Sequence, residues 1–270
     1  MIYNILAIAG SDPSGGAGVQ ADIKACSACG AYAMAAITAL TAQNTRGVTG
    51  VHLVPPEFVR RQIDAVFDDI RVDAVKVGMV ATAEIAAAIA DALLAHRPPF
   101  IVVDPVMVAK SGDRLLDAEA EDAVRTRLIP LADVLTPNLL EAAALLGKER
   151  PETPEAKQDD AIALRSMGAR AVLLKGGFQH AERAGSASDD LLADDAGLRW
   201  FNATRIQTDR VHGSGCTLSA AIAALRPSHP DLPSTIAAAK AFVRGAIERA
   251  PALTVGKGRP PTHHFHRLWA

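Results

Sequence analysis

The chain has 270 residues, 49% of them hydrophobic, and its 28 basic and 30 acidic side chains leave a net charge of −2. That balance excludes the basic field that nucleic acid or an anionic membrane surface requires, and 4% aromatic content excludes stacking platforms for single strands. Three cysteines make no disulfide framework, and the apolar run Met79–Ala95 is broken by Glu84 and Asp91, so a reduced, cytoplasmic protein with no nucleic-acid or membrane partner is expected.

Short apolar runs alternate with helical periodicity along the chain. Tyr3–Ala9 reads as a buried strand, followed by the turn-rich loop Gly10–Gly18 and a helix over Val19–Cys29, closed by Gly30. Ala33–Leu40 is the second strand, and Thr41–Val48 follows it as a loop. Glu57–Ile70 places Phe58, Val59, Ile63, Val66, Phe67 and Ile70 on one helical face. Strands are predicted at Ala74–Met79, Phe100–Asp104, Val134–Thr136 and Ala171–Lys175, with helices at Ala83–Ala95, Ala118–Leu128, Leu139–Leu146 and Ala161–Met167. Lys148–Gln158 reads as a polar surface connection and 180–190 as a loop. Asp190–Ala193 and Leu198–Asn202 flank Asp194-Asp195-Ala196-Gly197, a hairpin signal. Helices at 215–225 and 234–249 precede an irregular tail. Strands alternating with helices imply an α/β fold: a central, mostly parallel sheet with helices on both faces, a small hairpin near 190–202, and a single domain over 1–270. Ligands of such sheets bind beyond the carboxyl ends of the strands.

Polar residues collect at those ends. Gly16-Ala17-Gly18-Val19-Gln20-Ala21 fits the dinucleotide pattern G-x-G-x-x-A, although Ser11–Ser14 separate it from the strand and no acidic residue follows the second strand. A dehydrogenase is the alternative this keeps open. Gln43 offers an amide donor and acceptor. Met79 and Val106-Met107 are apolar walls or core. Asp104 ends a strand, and Asn138 and Glu141 fit either a capping box or a polar site. Lys175 precedes Gly176-Gly177 at another strand end. Last comes His212-Gly213-Ser214-Gly215-Cys216, a tight turn running into a helix whose Leu218, Ile222 and Leu225 share one face. Free N–H groups at that helix start make an anion cradle, and a thiol there, Cys216, is expected to have a lowered pKa. The bland alternative is a structural cysteine. Cys26 and Cys29 read as buried small residues, and the histidine-rich tail (His263, His264, His266) as a docking segment.

Gly213-Ser214-Gly215-Cys216 resembles the anion-hole motif of ribokinase-like kinases, which usually has aspartate where Cys216 stands. Cysteine there, followed by Thr-Leu-Ser-Ala-Ala, resembles the hydroxymethylpyrimidine/phosphomethylpyrimidine kinase branch, and Ala9–Asp22 resembles that branch's N-terminal signature. No G-x-x-x-x-G-K-[ST] occurs, so a P-loop kinase is excluded. The resemblance runs nearly end to end. It implies a ribokinase-like fold, ATP and Mg²⁺, and phosphorylation of 4-amino-5-hydroxymethyl-2-methylpyrimidine and then of its monophosphate, for thiamine synthesis. It further implies that Cys216 takes the alcohol's proton, that Lys175 sits on the transferring phosphoryl group, and that Gly213, Ser214 and Gly215 form the anion hole. Gly10, Ala17, Asp22, Gln43, Met79 and Val106 would hold the pyrimidine. Asn138, Lys175 and Thr208 would face ATP, and Asp104 and Glu141 would hold Mg²⁺ through waters. A homodimer is expected. The chain departs from the family pattern at Phe178, where histidine is common, at Val211, where threonine is usual, and at Pro260-Pro261. A pyridoxal kinase, which shares the fold and the cysteine slot, is the nearest alternative; a silent pyrimidine sensor is a further one.

Overall fold

The apolar runs become the strands of one sheet. The computed structural model describes residues 1–107, 117–176, 188–206, 208 and 211–269. Among them are β1 (Asn4–Ser11), β2 (Tyr32–Asn44), β3 (Gly47–Leu53), β4 (Ala74–Val77), β5 (Ile101–Val103), β6 (Val134–Leu135), β7 (Val172–Leu174), β8 (Asp190–Asp194) and β9 (Gly197–Phe201). They line up as β3-β2-β1-β4-β5-β6-β7-β8-β9. The centre, β2 to β7 in that order, is parallel; β3 at one edge and β8 and β9 at the other are antiparallel. The helices are α1 (Gly18–Ala28), α2 (Pro56–Phe67), α3 (Ala83–His96), α4 (Ala118–Ala123), α5 (Leu139–Leu146), α6 (Pro154–Arg165), α7 (Ser214–Leu225) and α8 (Leu232–Glu248). None of the described helices is long and apolar enough to cross a membrane.

Parallel strands buried on both faces carry unbroken Val/Ile/Leu runs, and alternate residues serve opposite cores. Leu6, Ile8, Val103 and Leu174 pack with Ile63, Ile89 and Leu164 of α2, α3 and α6. Ile5, Val102 and Leu173 pack with Ala25, Ile222 and Phe242 of α1, α7 and α8. The second layer matters for function, because α1 and α7 lie against each other and both begin at the carboxyl ends of the strands.

Two expectations are corrected. Thr41–Val48 is not a loop: β2 runs on to Asn44 and returns as β3, so Gln43 stands on a strand. The Asn44 side chain accepts from Arg46 N–H at 2.8 Å and tightens the turn. Leu40, Val51 and Leu53 on this hairpin are exposed, so no buried face imposed the alternation a strand prediction needs. Lys148–Gln158 is a connection only at its start, since α6 begins at Pro154 with Thr153 capping Ala156 N–H at 3.2 Å. Proline is well suited to a helix's first position. The hairpin near 190–202 is present as β8 and β9. Phe178 and residues 180–187 of the expected loop lie outside the described residues.

The tail folds back over the carboxyl edge. Arg259 N–H donates to Thr45 O at 2.8 Å, His212 N–H to Pro260 O at 2.9 Å, and Thr262 N–H to His212 O at 3.2 Å. Thr217 Oγ1, on α7, lies 3.0 Å from both Thr262 Oγ1 and His264 Nε2. Burial, with Lys24 and the neighbouring histidines, pushes the His264 imidazole down to about 3. The unfolded chain therefore binds a proton that the folded chain refuses. His264 contributes stability that is whole above pH ~6.5 and is lost as pH falls towards ~3. Thermal unfolding across that window should show a slope for wild type steeper by about one proton, or ~1.4 kcal/mol per pH unit, than for His264→Gln. Equal slopes would assign the acid sensitivity elsewhere.

Candidate active site

The Gly10–Gly18 loop is organised by one carboxylate. Asp12 is buried and accepts from Ser14 N–H (2.9 Å), Ser14 Oγ (2.7 Å), Gly16 N–H (3.2 Å) and Ala17 N–H (2.9 Å), and it meets His212 Nε2 at 3.1 Å. Burial opposes its charge, but the bonds from His212 and Ser14 prevail and hold the carboxyl below its usual range. Asp12 thus occupies the very N–H groups that a pyrophosphate would need, so the G-x-G-x-x-A match is not a dinucleotide site. The loop in turn abuts the head of α7. Gly213 has φ +81, and a Cβ there would collide with the Gly16 carbonyl. Only glycine satisfies both demands.

Beside that helix start stands the charged cluster. Lys175 Nζ donates to Asp104 Oδ1 at 2.8 Å, Thr136 Oγ1 lies 3.0 Å from the same oxygen, and Ser219 Oγ donates to Asp104 Oδ2 at 3.1 Å. A Cβ on Gly215 would be 3.4 Å from Lys175 Nζ and 3.8 Å from Asp104 Oδ2, so the ammonium stands beside the first turn of α7. Burial works against all three charges here. Lys175 and Lys76 nonetheless keep Asp104 low, Asp104 and Glu141 keep Lys175 high, and burial with Asp104's charge pushes Glu141 up to about 7. The capping box is also present: Asn138 Oδ1 accepts from Leu140 N–H (2.8 Å) and Glu141 N–H (3.0 Å), while Glu141 Oε2 accepts from Asn138 N–H (2.8 Å). Asn138 therefore spends its oxygen on the helix. Asn138, Lys175, Thr208, Ser214 and Gly215 line a cavity of about 1220 Å³ that extends towards α8, room enough for a nucleotide.

The remaining expected residues lie outside the lining of that cavity. Gly10 packs under the Met79 methyl, where a Cβ would overlap it, and Met79 O accepts from Thr38 Oγ1 at 2.7 Å. Gln43 is held between Thr41 Oγ1 (3.2 Å) and His212 Nε2 (3.3 Å). Ala17 N–H is taken by Asp12, and Val106 N–H closes on Asp104 O at 2.8 Å, leaving its partly buried side chain beside that strand end. Asp22 does not offer its carboxylate to a ligand: it is fully enclosed, with both oxygens on Lys76 Nζ at 2.9 and 2.8 Å. Burial raises the Asp22 carboxyl to about 6 despite Lys76. Lys76 was missed because a lysine in Ala74-Val75-Lys76-Val77 reads as a solvated strand residue. The available signal was Asp22, an acid in line with Val19 and Cys26 on the buried face of α1.

The expected lowering of the Cys216 thiol is also corrected. Burial pushes it up to about 11; Lys76 and the Gly18 N–H pull it down, while Asp22 and Asp104 push it further up. The helix start is outweighed by desolvation and by two nearby carboxylates.

A glycine-led helix start with a strand-end lysine beside it and a nucleotide-sized cavity, at the carboxyl edge of a mostly parallel sheet, are the features of the ribokinase-like kinase class. The comparisons agree. The sequence profile described as phosphomethylpyrimidine kinase matches residues 12–263, and the chain belongs to that family. It is 49% identical over 266 residues to the hydroxymethylpyrimidine/phosphomethylpyrimidine kinase of Salmonella typhimurium, covering 98% of each chain. The fold superposes on a phosphomethylpyrimidine kinase from Clostridium difficile with a TM-score of 0.79 and 38% identity, covering 91% of this chain and 99% of that one. It superposes on the Bacillus subtilis pyridoxal kinase, in an ADP complex, with a TM-score of 0.89 and 33% identity over 100% of both.

A thiol raised to about 11 is a poor nucleophile at neutral pH. Labelling of Cys216 by iodoacetamide in the ligand-free protein should rise about tenfold per pH unit from pH ~7 upward, as followed by mass spectrometry. A rate already level below pH ~9 would contradict the raised thiol.

Proposed function

We propose that this kinase transfers the γ-phosphoryl group of ATP to the hydroxymethyl oxygen of 4-amino-5-hydroxymethyl-2-methylpyrimidine, and then a second one to the monophosphate formed, supplying the pyrimidine unit of thiamine. The observation that carries the reading is the convergence at the head of α7, where Lys175 Nζ stands against the Gly215 backbone with Cys216 next in sequence. Phosphoryl transfer demands positioning and charge neutralisation above all. The N–H groups of Gly213, Ser214, Gly215 and Cys216 and the Lys175 ammonium supply these for the transferring group. Asn138 and Thr208 line the nucleotide's cavity. Gln43 reads the aminopyrimidine edge, with Gly10, Ala17, Met79 and Val106 around the ring.

Asp104 and Glu141 suit Mg²⁺. Both are buried carboxylates, and Glu141, held up at about 7, would be relieved by a divalent cation. Among the described residues no group of three or more His, Cys, Asp or Glu side chains could hold a metal alone, so phosphate oxygens and water would complete the shell. Bound with ATP, Mg²⁺ would neutralise charge on the phosphate oxygens. We assign a homodimer, in which a second copy covers the exposed Val51 and Leu53 on one face of the β2–β3 hairpin, and a cytoplasmic site of action, which suits three free cysteines.

The two phosphorylations ask different things of Cys216. The alcohol must lose a proton as its oxygen bonds phosphorus, and Cys216 takes it, drawing on the small thiolate fraction that a thiol held up at about 11 leaves at neutral pH. The monophosphate attacks through an oxygen already ionised at pH 7, since its second pKa is ~6. Side-by-side ATP-consumption assays should show turnover with the pyrimidine and its monophosphate, and far less with pyridoxal. Cys216→Ala should slow the first step about 10²–10⁴-fold and leave the second within an order of magnitude. Equal losses in both steps would remove Cys216 as the base. No turnover of either pyrimidine would overturn the substrate assignment.

A further inference from the structure

The hydrogen bonds around His212 carry an inference that rests on the reading of Gln43 above and deepens it. His212 Nε2 lies 3.1 Å from Asp12 Oδ2 and 3.3 Å from the amide nitrogen of Gln43. Asp12 already gathers four N–H and O–H donors, as an ionised carboxylate does. The ring nitrogen facing it must therefore carry a proton. A ring N–H cannot accept from an amide N–H, so the Gln43 oxygen, not its nitrogen, belongs towards His212.

The other end of the amide gives the same answer independently. Thr41 Oγ1 donates its one proton to Ser11 O at 2.8 Å and lies 3.2 Å from the far atom of the Gln43 amide. With that proton engaged, Thr41 can only accept, so the far atom must be the NH₂ group. The two ends of an amide have nearly the same shape, and half a turn about the last bond exchanges them without repacking. His212 itself has little room to swing. A Cβ on Gly16 would stand 2.7 Å from its ring, and its backbone is pinned on both sides by Pro260 and Thr262.

We infer that His212 is a specificity-determining positioning residue: its Nε2–H, shared between Asp12 Oδ2 and the Gln43 oxygen as a three-centre bond, holds that oxygen in place and so fixes which atom of the pyrimidine edge meets a donor and which an acceptor. Once locked, Gln43 has one N–H and one oxygen lone pair left, in a set order. That order suits a ring nitrogen beside an exocyclic amine. A 4-oxo pyrimidine presents the reverse, a ring N–H beside a carbonyl. A free glutamine flips to serve either; a locked one refuses the second.

The test compares wild type, His212→Leu and His212→Gln with the 4-amino pyrimidine and its 4-oxo counterpart. The leucine variant should lose roughly 10-fold or more of the kcat/KM ratio between the two, through the pyrimidine KM, with KM for ATP unchanged. The glutamine variant, which keeps an N–H at similar reach, should recover most of it. A ratio unchanged in a folded leucine variant overturns the lock, and so does a fall in activity equal for both pyrimidines. Heteronuclear NMR of the histidine ring nitrogens in the ligand-free protein decides the case if the variants do not fold: a protonated Nε2 supports the lock and a bare Nε2 removes it. A wild-type protein that phosphorylates neither pyrimidine would sink the substrate assignment, a result separate from either of these.

Discussion

The carboxylate of Asp104 ties the site together. Its two oxygens reach Lys175 after β7, Thr136 after β6 and Ser219 inside α7, so one side chain at the end of β5 fixes three neighbouring elements. A buried carboxylate is expensive to ionise unless cations and hydrogen bonds answer it. Here Lys175 does so directly and Lys76 from further off. The same charge has two further effects: it keeps Lys175 an ammonium and makes it harder for Glu141 and Cys216 to ionise. The Lys175 ammonium, the Asp104 and Glu141 carboxyls and the Cys216 thiol therefore titrate as neighbours, and a change to one is felt by all.

The layer architecture turns this local chemistry into a cleft. α1 and α7 share the face built on Ile5, Val102 and Leu173, and their packing brings the N-terminal glycine loop against the start of α7. Gly16 and Gly213 meet there with no space for a side chain. The N-terminal glycine loop and the turn that opens α7, about two hundred positions apart in the chain, are thus fitted closely to each other.

Much of this was legible in the sequence, for identifiable reasons. Strands buried on both faces announce themselves as apolar runs, and polar residues that interrupt those runs at their ends, such as Asp104 and Lys175, mark the functional edge. What was hidden depended on the third dimension. β3 was missed because its hairpin is mostly exposed and carries no alternation. Asp22 and Lys76 satisfy each other across the sheet, and neither residue alone reveals its partner. The Cys216 thiol follows local rules only until burial and two carboxylates outweigh the helix start. The family resemblance added roles that spacing alone could not assign.

The docking of the tail has a consequence for how the molecule is made. Residues 258–264 close on Thr45, just after the strand that carries Gln43, and on His212 and Thr217 at the start of α7. The bond from Gly258 N–H to Thr45 Oγ1 joins positions separated by 213 residues in the chain. Such long-range closures are slow, because the entropy of a large loop is lost before the contact returns anything. The sheet and both helical layers can assemble before these contacts form, but the end of β2 at Gln43 and the turn that opens α7 stay without their common brace until residues 258–264 dock. The geometry around Gln43 and α7 should therefore mature only after the folding chain has become resistant to proteolysis.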